Sequence, residues 1–149
     1  MASLDLPTCR ARLAAARVAR LATVTNTGLP HVVPCCFVLD SSSAEADRIY
    51  SVVDGKPKST AALKRLENVL STPAASLVAD HYADDWAELW WVRADGVATI
   101  VDQVESAAER NAALDALAAK YDQYRTDRPE GALLRIDVDR LTGWSFSEA

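Results

Sequence analysis

Two lysines flank a proline in Lys56-Pro57-Lys58, between an apolar run ending at Asp54 and a helical pattern that begins with Ser59 and Thr60. The free N–H groups and positive dipole end of a helix N-terminus favour an anion, and two cations in the same turn reinforce that preference. The turn therefore reads as a phosphate site, and equally as a solvated basic corner. A second constellation is Trp90-Trp91-Val92-Arg93. Strand alternation sends Trp90 and Trp91 to opposite faces and puts Arg93 on the side of Trp91. A ring and a guanidinium sharing one cleft can stack on and hydrogen-bond a planar heterocycle. The plainer alternative is barrel filling by Trp91, with Arg93 in a salt bridge. His31 opens an apolar run, where a histidine is more often structural than catalytic.

Several chemistries lack their residues. There is no GxSxG elbow for a serine nucleophile and no GxGxxG loop for a dinucleotide. His31 and His81 are far apart and no CxxC is present, so no metal site is expected. Asp80, Asp84 and Asp85 read as a solvated turn. No acid–base pair stands out, and no catalytic residue is assigned.

Composition narrows the partners. The chain has 149 residues and a formal net charge of −5, with twelve arginines and four lysines. Nucleic acid is not expected, because a basic footprint is missing. A membrane is not expected either, since no stretch approaches the ~20 apolar residues a spanning helix needs. Met1 to Pro7 lacks the basic and apolar regions of a secretory signal. Cys9, Cys35 and Cys36 are odd in number, and adjacent strand cysteines point to opposite faces. They read as small buried hydrophobes in a reducing cytoplasm. The length fits one domain, 1–149.

These residues must be held by strands. Period-two patterns and turn signals place strands at 21–25, 31–40, 48–54, 75–82, 88–102 and 132–139. Helical spacing places helices at 8–19, 59–70 and 105–121, with Thr8 as N-cap of the first. The second helix is expected to bury Leu63, Leu66, Val69 and Leu70. Residues 141–149 read as a tail. Gly96 suggests a bulge or bend, and Pro34 an edge or bulge. Segment 31–40 is apolar on both faces, so its outside calls for cover by a helix or a second subunit. The fold class is mainly β (α+β): a six-stranded antiparallel barrel with peripheral helices.

Four segments in order carry a family resemblance. They are Arg20-Leu21-Ala22-Thr23-Val24 through Gly28-Leu29-Pro30-His31-Val32-Val33-Pro34; Ile49-Tyr50-Ser51-Val52-Val53-Asp54 with Lys56-Pro57-Lys58; Trp90-Trp91-Val92-Arg93-Ala94-Asp95-Gly96; and 137–144. Together they resemble the flavin-binding split-barrel superfamily typified by pyridoxamine 5′-phosphate oxidase. Val-Asp-Gly-Lys-Pro-Lys, Leu-Trp-Trp-Val-Arg and Asp-Arg-Leu-Thr-Gly-Trp are similar to a subgroup that uses the deazaflavin coenzyme F420. The resemblance implies a homodimeric split β-barrel with cofactor clefts at the subunit interface. It assigns Lys56 and Lys58 to the phosphate, and Ser51 and the Val52 backbone to the ring or its linker. Trp91, Arg93 and His31 would line the ring and the substrate side. The implied activity is hydride transfer to a small electron-poor acceptor: an enone, a quinone-like ring or a tetrapyrrole. An FMN-dependent oxidase or reductase, or a non-catalytic flavin or tetrapyrrole binder, are the alternatives. Trp91 stands where the oxidases usually carry glutamine, and their C-terminal substrate-binding extension is missing. Both argue against oxidation of pyridoxine phosphate.

Overall fold

Two long strands form the spine of the fold. In the computed structural model, which describes residues 2–53 and 60–147, β7 (Trp90–Val101) pairs antiparallel with β8 (Leu133–Ser145) over its whole length. The other strands are β1 (Ala2–Ser3), β2 (Ala19–Val24), β3 (Pro30–Cys35), β4 (Val38–Asp40), β5 (Arg48–Val52) and β6 (Ala74–His81). All pair antiparallel, in the order β3-β2-β6-β7-β8-β5-β4, with β1 added to β8. Among the described residues, four α-helices flank the sheet: α1 (Leu6–Ala15), α2 (Thr60–Ser71), α3 (Ala107–Lys120) and α4 (Asp122–Thr126).

The class is the mainly antiparallel split barrel expected, but the described residues form eight strands where the sequence suggested six. The segment 31–40 divides at Cys36 and Phe37, because β3 pairs with β2 while β4 pairs with β5 at the other end of the order. Two linking residues hold Cys35 and Val38 within about 11 Å, at 3.8 Å per Cα step. The two ends of the sheet are therefore neighbours, and the sheet curls into a barrel. The supposed tail continues β8 to Ser145, and β1 pairs with its last two residues.

Alternation fills the inside. Leu21, Leu77, Val92, Ala94, Leu134 and Ile136 join Leu13 of α1 and Val69 of α2 in one buried cluster. A second cluster sits between β5 and α3, where Tyr50 and Val52 meet Ala113, Leu114 and Leu117. The strand covered on both faces is thus β5. On β3 the outward Pro30, Val32 and Pro34 stay exposed, so this chain alone does not supply the cover expected there.

Local signals shift slightly. Asp5 rather than Thr8 caps α1, accepting the Thr8 N–H at 2.8 Å. In α2, Asn68 is buried and Leu70 is exposed, because Leu66 and Val69 set the inward face. The Leu63 side chain lies outside those described. Cys9 and Cys35 are buried, Cys36 is half-buried, and all three are free. Among the described residues, no helix is long and apolar enough to cross a membrane.

The β3–β4 link is pinned from below. Phe37 donates its N–H to the Tyr121 hydroxyl at 3.1 Å, and that hydroxyl lies 3.0 Å from the carbonyls of Arg17 and Phe37. Lys120 Nζ donates to Phe37 O and Ser51 Oγ donates to Cys36 O. Tyr121→Phe strands the Phe37 N–H in the interior, which should cost about 1–3 kcal/mol. Urea unfolding should show a lower midpoint with an unchanged slope. An unshifted midpoint would mean that the link is held without this hydroxyl.

Candidate functional site

The register of β2, β3 and β6 sorts the candidate residues by face. Ala19 pairs with Cys35, Leu21 with Val33 and Thr23 with His31, and Ala19, Leu21 and Thr23 are all buried. His31, Val33 and Cys35 therefore look inward. Helix α2 crosses above them: Asn68 Nδ2 donates to Thr23 Oγ1 at 3.1 Å, while the charge of Arg65 reaches Cys35. Burial pushes the Cys35 thiol up, with the Arg65 charge and the neighbouring Ser51 hydroxyl opposing it. Ser51 also faces inward and is 4% exposed. Among the described residues, two buried atoms on this face have no hydrogen-bond partner, His31 Nδ1 and Arg65 Nε.

Trp91 and Arg93 lie on the opposite, outer face. The lateral row through Arg93 runs Pro34, Arg20, Val78, Arg93, Thr142, and the row above it joins Asp80, Trp91 and Trp144. The Arg93 guanidinium sits 5.7 Å from the Trp91 ring centroid, and its Nε donates to Asp95 at 3.0 Å. The shared side expected of Trp91 and Arg93 is present, and so is the salt bridge of the plainer reading. Burial works against ionisation of Asp95, but bonds donated by Ser76 and Arg93 hold its carboxyl below the usual range. Beside it a shallow cavity of about 360 Å³ opens over Ala22, Pro30, Ala74, Ser76 and Gly96.

The remaining candidates occupy two further places. Val52 pairs with Leu133, and its side chain packs beneath α3. Lys56 and Lys58 lie outside the described residues. The strand before them ends with Val53 N–H donating to Ala132 O at 2.8 Å, and α2 begins at Thr60. The structure thus joins His31 with Ser51 on one face and Trp91 with Arg93 on the other. Arg65, Asn68 and Thr23 were not singled out from the sequence. Asn68, a polar residue between inward Leu66 and Val69, was the one available signal.

Comparison with known proteins follows this geometry. The family model described as pyridoxamine 5′-phosphate oxidase matches residues 5–145. Among solved structures, a conserved protein of unknown function from Corynebacterium diphtheriae is 25% identical, with 98% of each chain covered and a TM-score of 0.70. An FAD-binding protein from Mesorhizobium loti is 21% identical, with 95% of each chain covered and a TM-score of 0.68. A heme-binding protein from Mycobacterium smegmatis is 24% identical over 94% of this chain and 54% of that one, with a TM-score of 0.62. No curated protein matches.

Proposed function

Because the chain belongs to the pyridoxamine 5′-phosphate oxidase family, we propose that it is an oxidoreductase using the deazaflavin coenzyme F420. The observation that carries this reading is the pair of partnerless buried atoms, His31 Nδ1 and Arg65 Nε, on one face. A buried polar atom without a partner costs about 1–3 kcal/mol, so such atoms in a native fold call for a ligand or water. A guanidinium donor beside an imidazole nitrogen that can donate or accept fits a polyanionic, heteroatom-rich coenzyme.

When bound, the coenzyme supplies a hydride for an enone, a quinone-like ring or a tetrapyrrole. The work of the chain is to bind and to orient. Lys56 and Lys58 would grip the phosphate, with Ser51 and the Val52 backbone along the ring or its linker. Ser51 has already committed its hydroxyl proton to Cys36 O, so only its oxygen lone pairs remain to accept a bond. Trp91, Arg93 and His31 would line the ring and the substrate. These three lie on two faces of one chain, which suits a cleft completed by a second copy. The open outer face of β3, where Val32 is 60% exposed, and the preceding Leu29, 62% exposed, support such a homodimer. Elution as a monomer at micromolar concentration would count against that cleft.

FMN is the second reading, since it too ends in a phosphate that a basic turn would hold. Parallel titration with F420 and with FMN decides between them, and the deazaflavin is expected to bind more tightly. Purification with stoichiometric FMN and indifference to F420 would hand the function to FMN. Failure of reduced coenzyme to turn over with any added acceptor would leave a binding protein.

A further inference from the structure

Helix α3 leaves Ala112, Ala116 and Ala119 exposed on the flank that borders β4. Two cavities follow this flank and share Val38, Leu39 and Ala116. One, of about 350 Å³, ends at Asp40, Arg48, Tyr50 and Glu109. The other, of about 400 Å³, is bounded by Ala14 and Lys120. Each reaches the size of small-molecule sites, roughly 300–1,000 Å³. From Ala112 to Lys120 the groove follows about 12 Å of helix, at 1.5 Å per residue.

Lys120 closes one end in an unusual state. Its ammonium lies 4.0 Å from the Phe37 ring centroid and 5.3 Å from that of Tyr121. One hydrogen bond, to Phe37 O at 2.9 Å, leaves two of its three donors. Beside it Arg17 donates to Lys120 O and stacks over Tyr121. Arg10, Arg20, Arg48, Arg93, Arg125, Arg128 and Arg135 each meet a carboxylate. Among the described residues Lys120 and Arg17 meet none, as is also true of Arg12, Lys64, Arg65, Arg110 and Arg140. What sets Lys120 and Arg17 apart is that they adjoin each other, with Lys120 lining the groove. In a chain of net charge −5, two adjacent cations left without an acid beside an apolar groove are complementary to an apolar anion. Burial, with Arg17 adding like charge, pulls the Lys120 pKa down to about 8. A bound anion would offset that cost.

We infer that this groove binds an aliphatic carboxylate, its chain along the α3 alanines, Val38 and Leu39, and its carboxylate at Lys120. A monoanion matches best, because of the two cations only Lys120 lines the groove, and one half-buried ammonium cannot offset a buried dianion. At the far end Glu109 is already paired with Arg48 and Arg135, so the direction is set by the free ammonium donors of Lys120 and by Asp40 at the opposite end.

Decanoate is the probe, titrated calorimetrically into the full chain, Lys120→Met and Ala116→Leu, with decanol as uncharged control. Thermal melts establish that each variant is folded. Wild type should take one decanoate per chain. Lys120→Met keeps the apolar stem over Phe37 and should weaken binding ten- to a hundredfold, the worth of one charge-assisted bond. Decanol should bind wild type no better than decanoate binds Lys120→Met, and Ala116→Leu should abolish binding by filling the groove. Wild-type affinity should fall as pH rises through about 8 and Lys120 loses its proton. The groups facing Lys120 are Arg17 after α1, Cys35 and Cys36 at the β3–β4 link, and Tyr121. Lys120→Met should lose that step. No decanoate binding, equal affinity for wild type and Lys120→Met, or undiminished binding by Ala116→Leu would each overturn the assignment. So would dissociation of an oligomer by Ala116→Leu without any decanoate site, which would make the groove an interface between copies.

Discussion

Replacing Gly96 with alanine should cost about 4 kcal/mol or more, a loss large enough to threaten a domain of ordinary stability. An added Cβ would lie 2.0 Å from the backbone carbonyl oxygen of Asp137 and 2.9 Å from its carbon. Ordinary contact needs at least 3.4 Å. No flexible side chain is available to yield. Relief requires parting β7 and β8 at the place where their register shifts between Asp95 and Gly96. Asp137 is tied on its other side as well: it pairs with Arg48 of β5, and its carboxylate meets Arg48 and Arg135. The strand cannot retreat without disturbing that network. Gly28→Ala is the control. Gly28 has φ +87° with open space around it, so alanine there meets only backbone strain, roughly 1–2 kcal/mol. Chemical denaturation of the two variants beside wild type should show the Gly96 change as much the larger. Equal losses would mean that the β7–β8 crossing relaxes freely.

Much of this arrangement was legible because local patterns and tertiary needs agree. Period two in β6 and β7 and helical spacing in α3 each coincide with a buried face, so those elements fell near their expected ranges. Gly96 signalled an irregularity, although the extra residue sits in β8, where Asp95 meets Arg140 and Gly96 meets Val138. The break at Cys36 and Phe37 was not legible. Residues 31–40 keep a continuous β-forming composition, and what ends β3 is a change of partner across the barrel. The extension of β8 past Asp139 failed for a related reason: its pairing depends on Trp90 to Asp95 some fifty residues earlier in the chain.

The candidate site follows the same division. That Trp91 and Arg93 share a side is a consequence of alternation, and the structure has them 5.7 Å apart. Whether that side is inner or outer depends on which residues the barrel encloses, so His31 and Arg93 could not be placed on opposite faces from the sequence. Lys120 gave no signal, because an amphipathic helix ending in lysine is common. Its lack of an acidic partner is visible only once α3, Arg17 and the β3–β4 link are brought together.

Alanine at Lys56 or at Lys58 should weaken coenzyme binding by about ten- to a hundredfold. If the two lysines hold a phosphate, each makes a charge-assisted bond partly shielded from water, worth roughly 1.5–3 kcal/mol. Each ~1.4 kcal/mol is a factor of ten in affinity. Folding should barely change, because solvated turn lysines contribute little to stability. The flanking elements give the segment its leverage: the residue after β5 is fixed to the residue before β8 through Val53 and Ala132, and α2 starts at Thr60, where the first N–H groups have no acceptor within the helix itself. Rising salt should weaken wild-type binding more than that of the double variant, whose phosphate attraction has already gone. Lys56→Arg should retain most of the affinity, since a guanidinium also grips phosphate. A merely solvated corner predicts the opposite pattern: both alanine variants would bind as wild type does, with the same salt dependence. Isothermal titration of the two variants with the coenzyme separates the cases, and unchanged affinity in both would remove the phosphate from this turn.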